Sequence, residues 1–249
     1  LLDFILEHKM FESKKSIDLS FSTDVLDTNV VRDKIINFIK KDYCIGNYIR
    51  EGNYWELWML RYIQENYIEN TNILDLGGNI GTTTLLMSEV LSRDCKIYTF
   101  EPIYSDILYK NVLDNNLLDK VEIYPYAVGN KEVTIKNMKI DFNSSMNFGG
   151  VNLYNVSEEN ETDTMEIKVI PIDYFGFENV SLIKIDVENM EIEVLEGSYE
   201  LIKKCKPTIL IESYKFDELK ETNIFKKLID LGYKTNVIPE GHCDFIMKI

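Results

Sequence analysis

A strand, a glycine turn and a helix start follow one another without a spacer in ILDLGGNIG, residues 73–81. NILDL (72–76) reads as a short buried strand, Gly77 permits the tight turn, and IGTTTLLMSEVL carries the helical stretch behind it. Gly81 lets that helix pack close to the strand. The helix N-terminus then presents free amide groups and the positive end of a dipole, a place where a ligand's polar groups can be held.

From residue 72 onward the chain alternates between short apolar runs and helical stretches. KIYTFE (96–101) is a second strand, stopped by Pro102, and SDILYKNVLDNN a helix. VEIYPYAV (121–128), SLIKIDV (181–187) and PTILIES (207–213) are further strands. The last two are each followed by a helix, ENMEIEVLEGSYELIKK and FDELKETNIFKKLIDLGY. This alternation predicts βαβ units and an α/β, Rossmann-like, mostly parallel sheet with helices on both faces. The closing stretch KTNVIPEGHCDFIMKI reads as two strands joined through Pro239-Glu240-Gly241, adding an antiparallel C-terminal edge. The alternation breaks at 129–180. There KEVTIKN and TMEIKVIPI look like strands, and the polar run between them makes 138–163 a candidate acceptor loop.

Residues 1–70 predict a helical segment packing on a core domain of residues 71–249. VVRDKIINFIKK (30–41) spaces its apolar residues as a helix does, and so does YWELWMLRYIQENYI (54–68). Trp55 and Trp58 are expected in the core. The first residue is Leu1, and the chain is expected to have been cut from a longer one.

The turn has the layout of a dinucleotide site, and two residues decide against one. Asn79 occupies the second glycine position of the G-x-G-x-x-G pattern, where a pyrophosphate needs close backbone approach. Asp75, just before the turn, would oppose a diphosphate. Both suit a ligand with an adenosine, no phosphates and an ammonium, which is S-adenosylmethionine. Glu101 ends the next strand twenty residues after Gly81, where a carboxylate accepts two hydrogen bonds from a ribose diol.

LIKIDVENMEIEVLEG (182–197) supplies a second constellation. Alternate side chains of a strand share a face, so Lys184, Asp186 and Glu188 point together where ligands bind, beyond the carboxyl ends of the strands. Glu212 opens onto the same edge. A lysine in a central strand is costly unless paired, which predicts a salt bridge from Lys184 to one of these acids. An aliphatic hydroxyl needs a base or a divalent cation before it attacks a methyl group. Asp186, Glu188 and Glu212 could serve as base or as hard oxygen ligands for Mg²⁺ or Mn²⁺. Glu188 and Glu191 also suit the first turn of a helix electrostatically. His242 is a third choice of catalytic group, with a structural reading beside it.

Charge narrows the acceptor. With 27 basic and 42 acidic residues the net charge is −15, a surface that repels nucleic-acid backbones and anionic membranes. No apolar run reaches the ~18–20 residues that span a bilayer, and the N-terminal stretch lacks the basic leader of a secretory signal. The four cysteines form no C-x-x-C pair and read as buried thiols of a reducing, cytoplasmic protein. With two histidines a His/Cys zinc site has little to work with. The N-x-S/T sequons at Asn143, Asn155, Asn160 and Asn179 read as chance in an Asn-rich chain.

Together these residues resemble the FkbM family of S-adenosylmethionine-dependent methyltransferases over roughly residues 50–249. The resemblance rests on DLGGNIG (75–81), FEP (100–102), AVGN (127–130), NFGGVNL (147–153), KIDVENME (184–191) and KPTILIE (206–212). The family usually reads D-x-G-A-N-x-G and K-x-D-x-E-G-x-E, so Gly78 stands for Ala and Asn189 for Gly. The resemblance implies a class I methyltransferase sheet and methyl transfer to a hydroxyl, often of a sugar or a polyketide-like small molecule. By position, Asp75, Gly77, Asn79 and Gly81 would hold the methionine part and Glu101 the ribose. Ile103, Tyr126 and Ala127 would flank the adenine, and Asn147, Gly149 and Gly150 would belong to a loop over the acceptor, with Lys184 nearby.

The sequence therefore predicts an O-methyltransferase acting on a glycan or sugar-bearing acceptor, with fusion to a glycosyltransferase-like domain as a plausible context. Another hydroxylated small molecule or a protein side chain is the alternative acceptor. A non-catalytic cofactor-fold domain is the rival from another class, opposed by Asp75, Glu101 and Asp186. An NAD-dependent oxidoreductase is opposed by Asn79 and Asp75.

Overall fold

The computed structural model describes residues 22–138, 140–152 and 164–249. The first described elements form a β-hairpin, β1 (Leu26–Val31) and β2 (Lys34–Ile39), where a helix over 30–41 is expected. Arg32 and Asp33 both take left-handed φ values, 51° and 63°, which suits a two-residue hairpin turn. The apolar spacing of Ile35, Ile36 and Ile39 is helical, β2 buries residues 36–39 without alternation, and nothing in Arg-Asp advertises such a turn. Two short helices follow, α1 (Ile45–Arg50) and α2 (Met59–Asn66). The second is shorter than expected because residues 55–58 form turns, with Glu56 at a left-handed φ of 51°. The N-terminal segment is thus a hairpin plus two helices; residues 1–21 lie outside the described residues.

The core is an open seven-stranded sheet. Its strands are β3 (Asn72–Leu76), β4 (Ile97–Phe100), β5 (Val121–Tyr124), β9 (Val180–Ile185), β10 (Thr208–Glu212), β11 (Lys234–Val237) and β12 (Asp244–Lys248), in spatial order β11-β12-β10-β9-β3-β4-β5. Strands β5, β4, β3, β9 and β10 run parallel, and β12 inserts antiparallel between β10 and β11. The chain builds outward from β3 to β4 and β5, then returns to the other side of β3 with β9. That reversal makes the β3/β9 crevice the topological switch point, where open α/β sheets bind ligands. Every residue of β9 is buried, as expected of a strand covered on both faces.

Helices α3 (Thr82–Val90), α4 (Ser105–Asp114), α5 (Glu191–Gly197), α6 (Tyr199–Cys205), α7 (Phe216–Glu221) and α8 (Asn223–Asp230) cover the sheet. Apolar side chains gather into two buried clusters. One contains Leu85, Leu86 and Ile107 with the hairpin's Ile36 and Phe38, and the other Val194, Ile202 and Leu228. The single helices expected after β9 and β10 are each two. The second pair divides at Thr222, whose hydroxyl accepts from the Phe225 amide at 3.3 Å as an N-cap.

VEIYPYAV also divides, because Pro125 cannot continue a ladder. β5 stays in the large sheet. β6 (Ala127–Val128) joins β8 (Thr164–Ile170) and β7 (Val133–Met138) in a separate three-stranded sheet. The hairpin locks onto α4 through amide side chains. Asn111 Oδ1 accepts from the Asn37 amide at 2.6 Å, while its Nδ2 donates to the carbonyls of Asn37 at 2.9 Å and Ile80 at 2.7 Å. Since Ile80 belongs to the glycine turn, the hairpin buttresses the site. Among the described residues no helix is long and apolar enough to cross a membrane.

Candidate active site

The site grows from the end of β3. Gly77 sits at φ +85°, and a Cβ placed there would lie 1.7 Å from the Asp186 carbonyl oxygen, so only glycine lets the turn and the end of β9 touch. Asn79 follows at φ 49°, a left-handed conformation that asparagine tolerates better than most residues. At Gly78 a Cβ would meet the Thr99 and Leu108 side chains at 2.4 and 2.6 Å, so those neighbours leave no room here for the family's alanine. Gly81, at φ +94°, is the N-cap of α3 and lines neither of the two cavities described next.

Glu101 organises the neighbouring strand end. Its Oε2 accepts from the Asn79 amide at 2.8 Å, and its Oε1 from the amides of Ile103 and Tyr104 at 2.7 and 2.9 Å. Burial pushes this carboxyl up, and the amides oppose that. An ionised carboxylate has about four acceptor positions. Three are taken, so about one remains for a ligand hydroxyl, fewer than the two that a full ribose diol grip requires. Glu101 therefore has a second task, joining the glycine turn to the start of α4.

Two cavities meet here. The first, open to solvent, spans about 560 Å³. It is lined by Gly77, Asn79, Glu101, Ile103, Tyr126 and Ala127, with Asp186 and Glu188 at one end. The second encloses about 1490 Å³ and opens among Tyr48, Trp55, Trp58, Tyr214, Asn147, Gly149, Gly150 and a set of acids. Asn79, Gly149, Asp186 and Glu188 wall both, and so mark where a donor in one would face an acceptor in the other.

Asp75 is not where the sequence reading puts it. It is fully buried and lines neither cavity. Its Oδ2 accepts from the Thr84 hydroxyl at 2.5 Å, and Oδ1, with no hydrogen bond, lies 3.7 Å from Lys184 Nζ. It stands behind the turn, out of reach of a ligand ammonium. Lys184 is paired as expected: its ammonium lies 3.0 Å from Asp186 Oδ2 and donates to the Gly77 carbonyl at 2.6 Å. Burial works against its charge, but Asp186 and Asp75 more than offset that and raise its pKa.

The acids behave differently from one another. Burial, then Asp186 and Glu191, push Glu188 up to about 7. Burial, then Asp186, Asp244 and Glu56, push Glu212 up to about 9, and it shares a hydrogen bond with Asp186. Glu212 also stands opposite Asp244 in the β10/β12 register, a like-charge cross-strand pair of the kind that costs stability. Asp244 rises to about 6 and Glu56 to about 8, burial first in both. Glu188 and Asn189 are consecutive left-handed residues, φ 51° and 74°. Asn189, standing for the family's glycine, keeps glycine's conformation, and its amide donates to Glu191 Oε1 at 2.9 Å. The first-turn reading of Glu191 thus holds.

No metal site is shown at Asp186, Glu188 and Glu212, where Mg²⁺ or Mn²⁺ is expected. Among the described residues no three acids, histidines or cysteines are grouped to hold a metal ion. Asp186 is turned to Lys184 and Glu212 instead. All four cysteines are free.

The candidate acceptor loop 138–163 is anchored over its described part, 140–152. Phe148 is buried, stacks 6.0 Å from Phe142, and its carbonyl accepts from the Tyr104 hydroxyl at 2.8 Å. Met146 bridges to Asp42, and Asn147 Oδ1 accepts from the Gly149 amide at 3.0 Å. Residues 139 and 153–163 lie outside the described residues. Sequence reasoning missed Glu56, Asp244 and Asp42. Trp55 and Trp58, expected in the core, pack on it and also face the second cavity.

A doubly wound sheet with a glycine turn at its switch point, a strand-end acid and a walled pocket between them is the architecture of a class I methyltransferase, a fold that implies S-adenosylmethionine. The pocket fits that cofactor: Glu101 keeps one open acceptor, and the turn's Gly77 and Asn79 form its wall. The methyltransferase FkbM domain matches residues 75–235, and the chain belongs to that family. A crystal structure of methyltransferase FkbM from Methylobacillus flagellatus KT superposes with a TM-score of 0.50 at 16% identity. That match covers 76% of this chain and 50% of the other, so this chain spans half the length of the Methylobacillus protein. A precorrin-6y C5,15-methyltransferase from Geobacter metallireducens GS-15 gives 0.45 at 12% identity, covering 76% and 84%. An M. jannaschii tRNA m1G37 methyltransferase gives 0.43 at 11%, covering 90% and 53%. No curated protein matches the sequence.

Proposed function

We propose that this methyltransferase transfers a methyl group to a hydroxyl of a sugar or glycan seated in the larger cavity, with Glu188 as the base. The junction of the two cavities at Asp186 and Glu188 carries the reading. Tyr48, Trp55, Trp58 and Tyr214 offer ring faces to the apolar faces of sugar rings, and the acids accept from hydroxyls. The net charge of −15 disfavours phosphate-bearing acceptors.

S-adenosylmethionine supplies an electrophilic methyl group. With that cofactor bound, Glu188 would take the proton of the acceptor hydroxyl. A base whose pKa lies near the working pH is suited to this, and one such group contributes roughly 10²–10⁴-fold. Asp186 is held by Lys184, which leaves it to orient rather than deprotonate. Glu212, with its raised pKa, carries a proton at neutral pH and can donate to an acceptor oxygen. Free thiols throughout the described residues support a reducing, cytoplasmic setting.

Methyl-labelled S-adenosylmethionine offered with defined glycans, hydroxylated small molecules and peptides tests the reading. The expected result is label on a glycan hydroxyl, turnover that survives EDTA, and a loss of at least ~100-fold in Glu188→Gln. Label on a peptide or a non-sugar molecule would overturn the acceptor class. Loss in EDTA restored by Mg²⁺ would overturn the base.

A further inference from the structure

We propose that Lys184 is a positioning residue for the cofactor turn, holding the Gly77 carbonyl and the Asp186 carboxylate in one fixed relation. This rests on the reading of the smaller cavity as the cofactor site. Lys184 lies within β9, a wholly buried strand, and its side chain is 3% exposed. Packing alone would be served by an apolar residue, and an unpaired ammonium in this place would be strongly unfavourable. The ammonium has three protons to donate, and three acceptors surround it: the Gly77 carbonyl at 2.6 Å, Asp186 Oδ2 at 3.0 Å and Asp75 Oδ1 at 3.7 Å. They belong to three segments, the turn, the end of β9 and the middle of β3.

Gly77 and Asp186 both wall the cofactor cavity, whereas Asp75 stands behind it. The same two residues are joined through the backbone, since the Asp186 amide donates to the Leu76 carbonyl at 3.0 Å and Gly77 packs on the Asp186 carbonyl. Lys184 adds the side-chain half of this clamp. Without it the Gly77 carbonyl loses its donor and the Asp186 side chain is free to rotate, so the turn and the acid edge no longer present one surface. Asp75 then has a role suited to its burial: it balances the charge of the lysine and touches no ligand.

A lysine that only stabilises the fold and one that positions the turn are separable. Lys184→Met alone leaves Asp75 buried without a counter-charge, so the informative protein is Lys184→Met/Asp75→Asn, compared with Asp75→Asn. The probe is S-adenosylhomocysteine, by titration calorimetry, with thermal melting alongside. The double variant should still melt cooperatively as a folded protein, yet bind the probe at least about tenfold more weakly than Asp75→Asn. Equal affinity, within about twofold, would reduce Lys184 to a structural residue and overturn the proposal. If the double variant does not fold, Lys184→Met/Asp75→Leu against Asp75→Leu repeats the comparison with an apolar pair. Failure of the unaltered chain to bind S-adenosylhomocysteine would overturn the cofactor reading itself, and this inference with it.

Discussion

Asp75 and Lys184 stand directly opposite each other on the adjacent parallel strands β3 and β9, with the ammonium 3.7 Å from a carboxylate that no solvent reaches. Burial pushes the Asp75 carboxyl up, against the pull of Lys184 and the Thr84 hydroxyl. Removing one partner of such a pair is far costlier than never having built it. Lys184→Met should lower unfolding free energy by about 3–5 kcal/mol in urea titrations. A loss below about 1 kcal/mol would show that the pair is not the charge balance it resembles.

Glu101→Ala should cost both binding and stability. Cofactor affinity should fall at least about tenfold with the ligand hydrogen bond. The amides of Asn79, Ile103 and Tyr104 lose their acceptor as well. A drop in unfolding free energy of about 1–3 kcal/mol should accompany the binding loss. Weak binding with wild-type stability would mean that water replaces the carboxylate at no cost.

The protein should lose stability as pH rises from about 5 to about 9. Glu188, Glu212, Glu56 and Asp244 have pKa values of about 7, 9, 8 and 6 in the fold, all above the ordinary carboxylate range. The native state therefore holds more protons than the unfolded chain. Each contribution is complete below the unfolded pKa and is lost as pH climbs through the folded one. Melting temperature followed across this range should fall, and Glu212→Gln should flatten the upper part of the curve. A melting temperature that rises with pH would contradict the crowding of acids at β10 and β12.

Asn189 takes the left-handed conformation in which the family carries glycine. Asn189→Ala should cost about 1–2 kcal/mol, the penalty of that conformation for an ordinary side chain, whereas Asn189→Gly should be close to neutral. Denaturant midpoints of the two variants decide this. An alanine variant as stable as wild type would mean that the loop relaxes without strain.

The proposed donor and acceptor cavities share a wall, and their linings are unequally legible in the sequence. The donor side was readable because its parts are local. A strand, a turn and a helix start adjoin in ILDLGGNIG, and the two-residue period of a strand aligns Lys184 with Asp186. Asn79, Gly77, Ile103, Tyr126 and Ala127 reach the first cavity as expected. The arrangement of the acids was not legible because sequence gives the number of carboxylates at an edge and not the partners each one takes. The hairpin was not legible because Val31, Ile35, Ile36 and Ile39 follow a helical spacing, while β2 buries residues 36–39 on both faces and so shows no alternation.

What the sequence determined by itself is the alternation of strands and helices from residue 72 and the residues of the glycine turn, since both depend on neighbours in the chain. Tertiary structure alone decided which groups face solvent, ligand or one another. Asp75 lies one residue from the turn yet is sealed behind it, because the Asp186 backbone closes over Gly77. Glu212 meets Asp244, 32 positions along the chain, because the antiparallel register of β12 places them opposite. Glu56 reaches the same acids because a left-handed turn interrupts the expected helix. Long-range packing sets the distance and dielectric between such groups, and these decide whether a carboxylate is a base, a proton donor or a counter-ion.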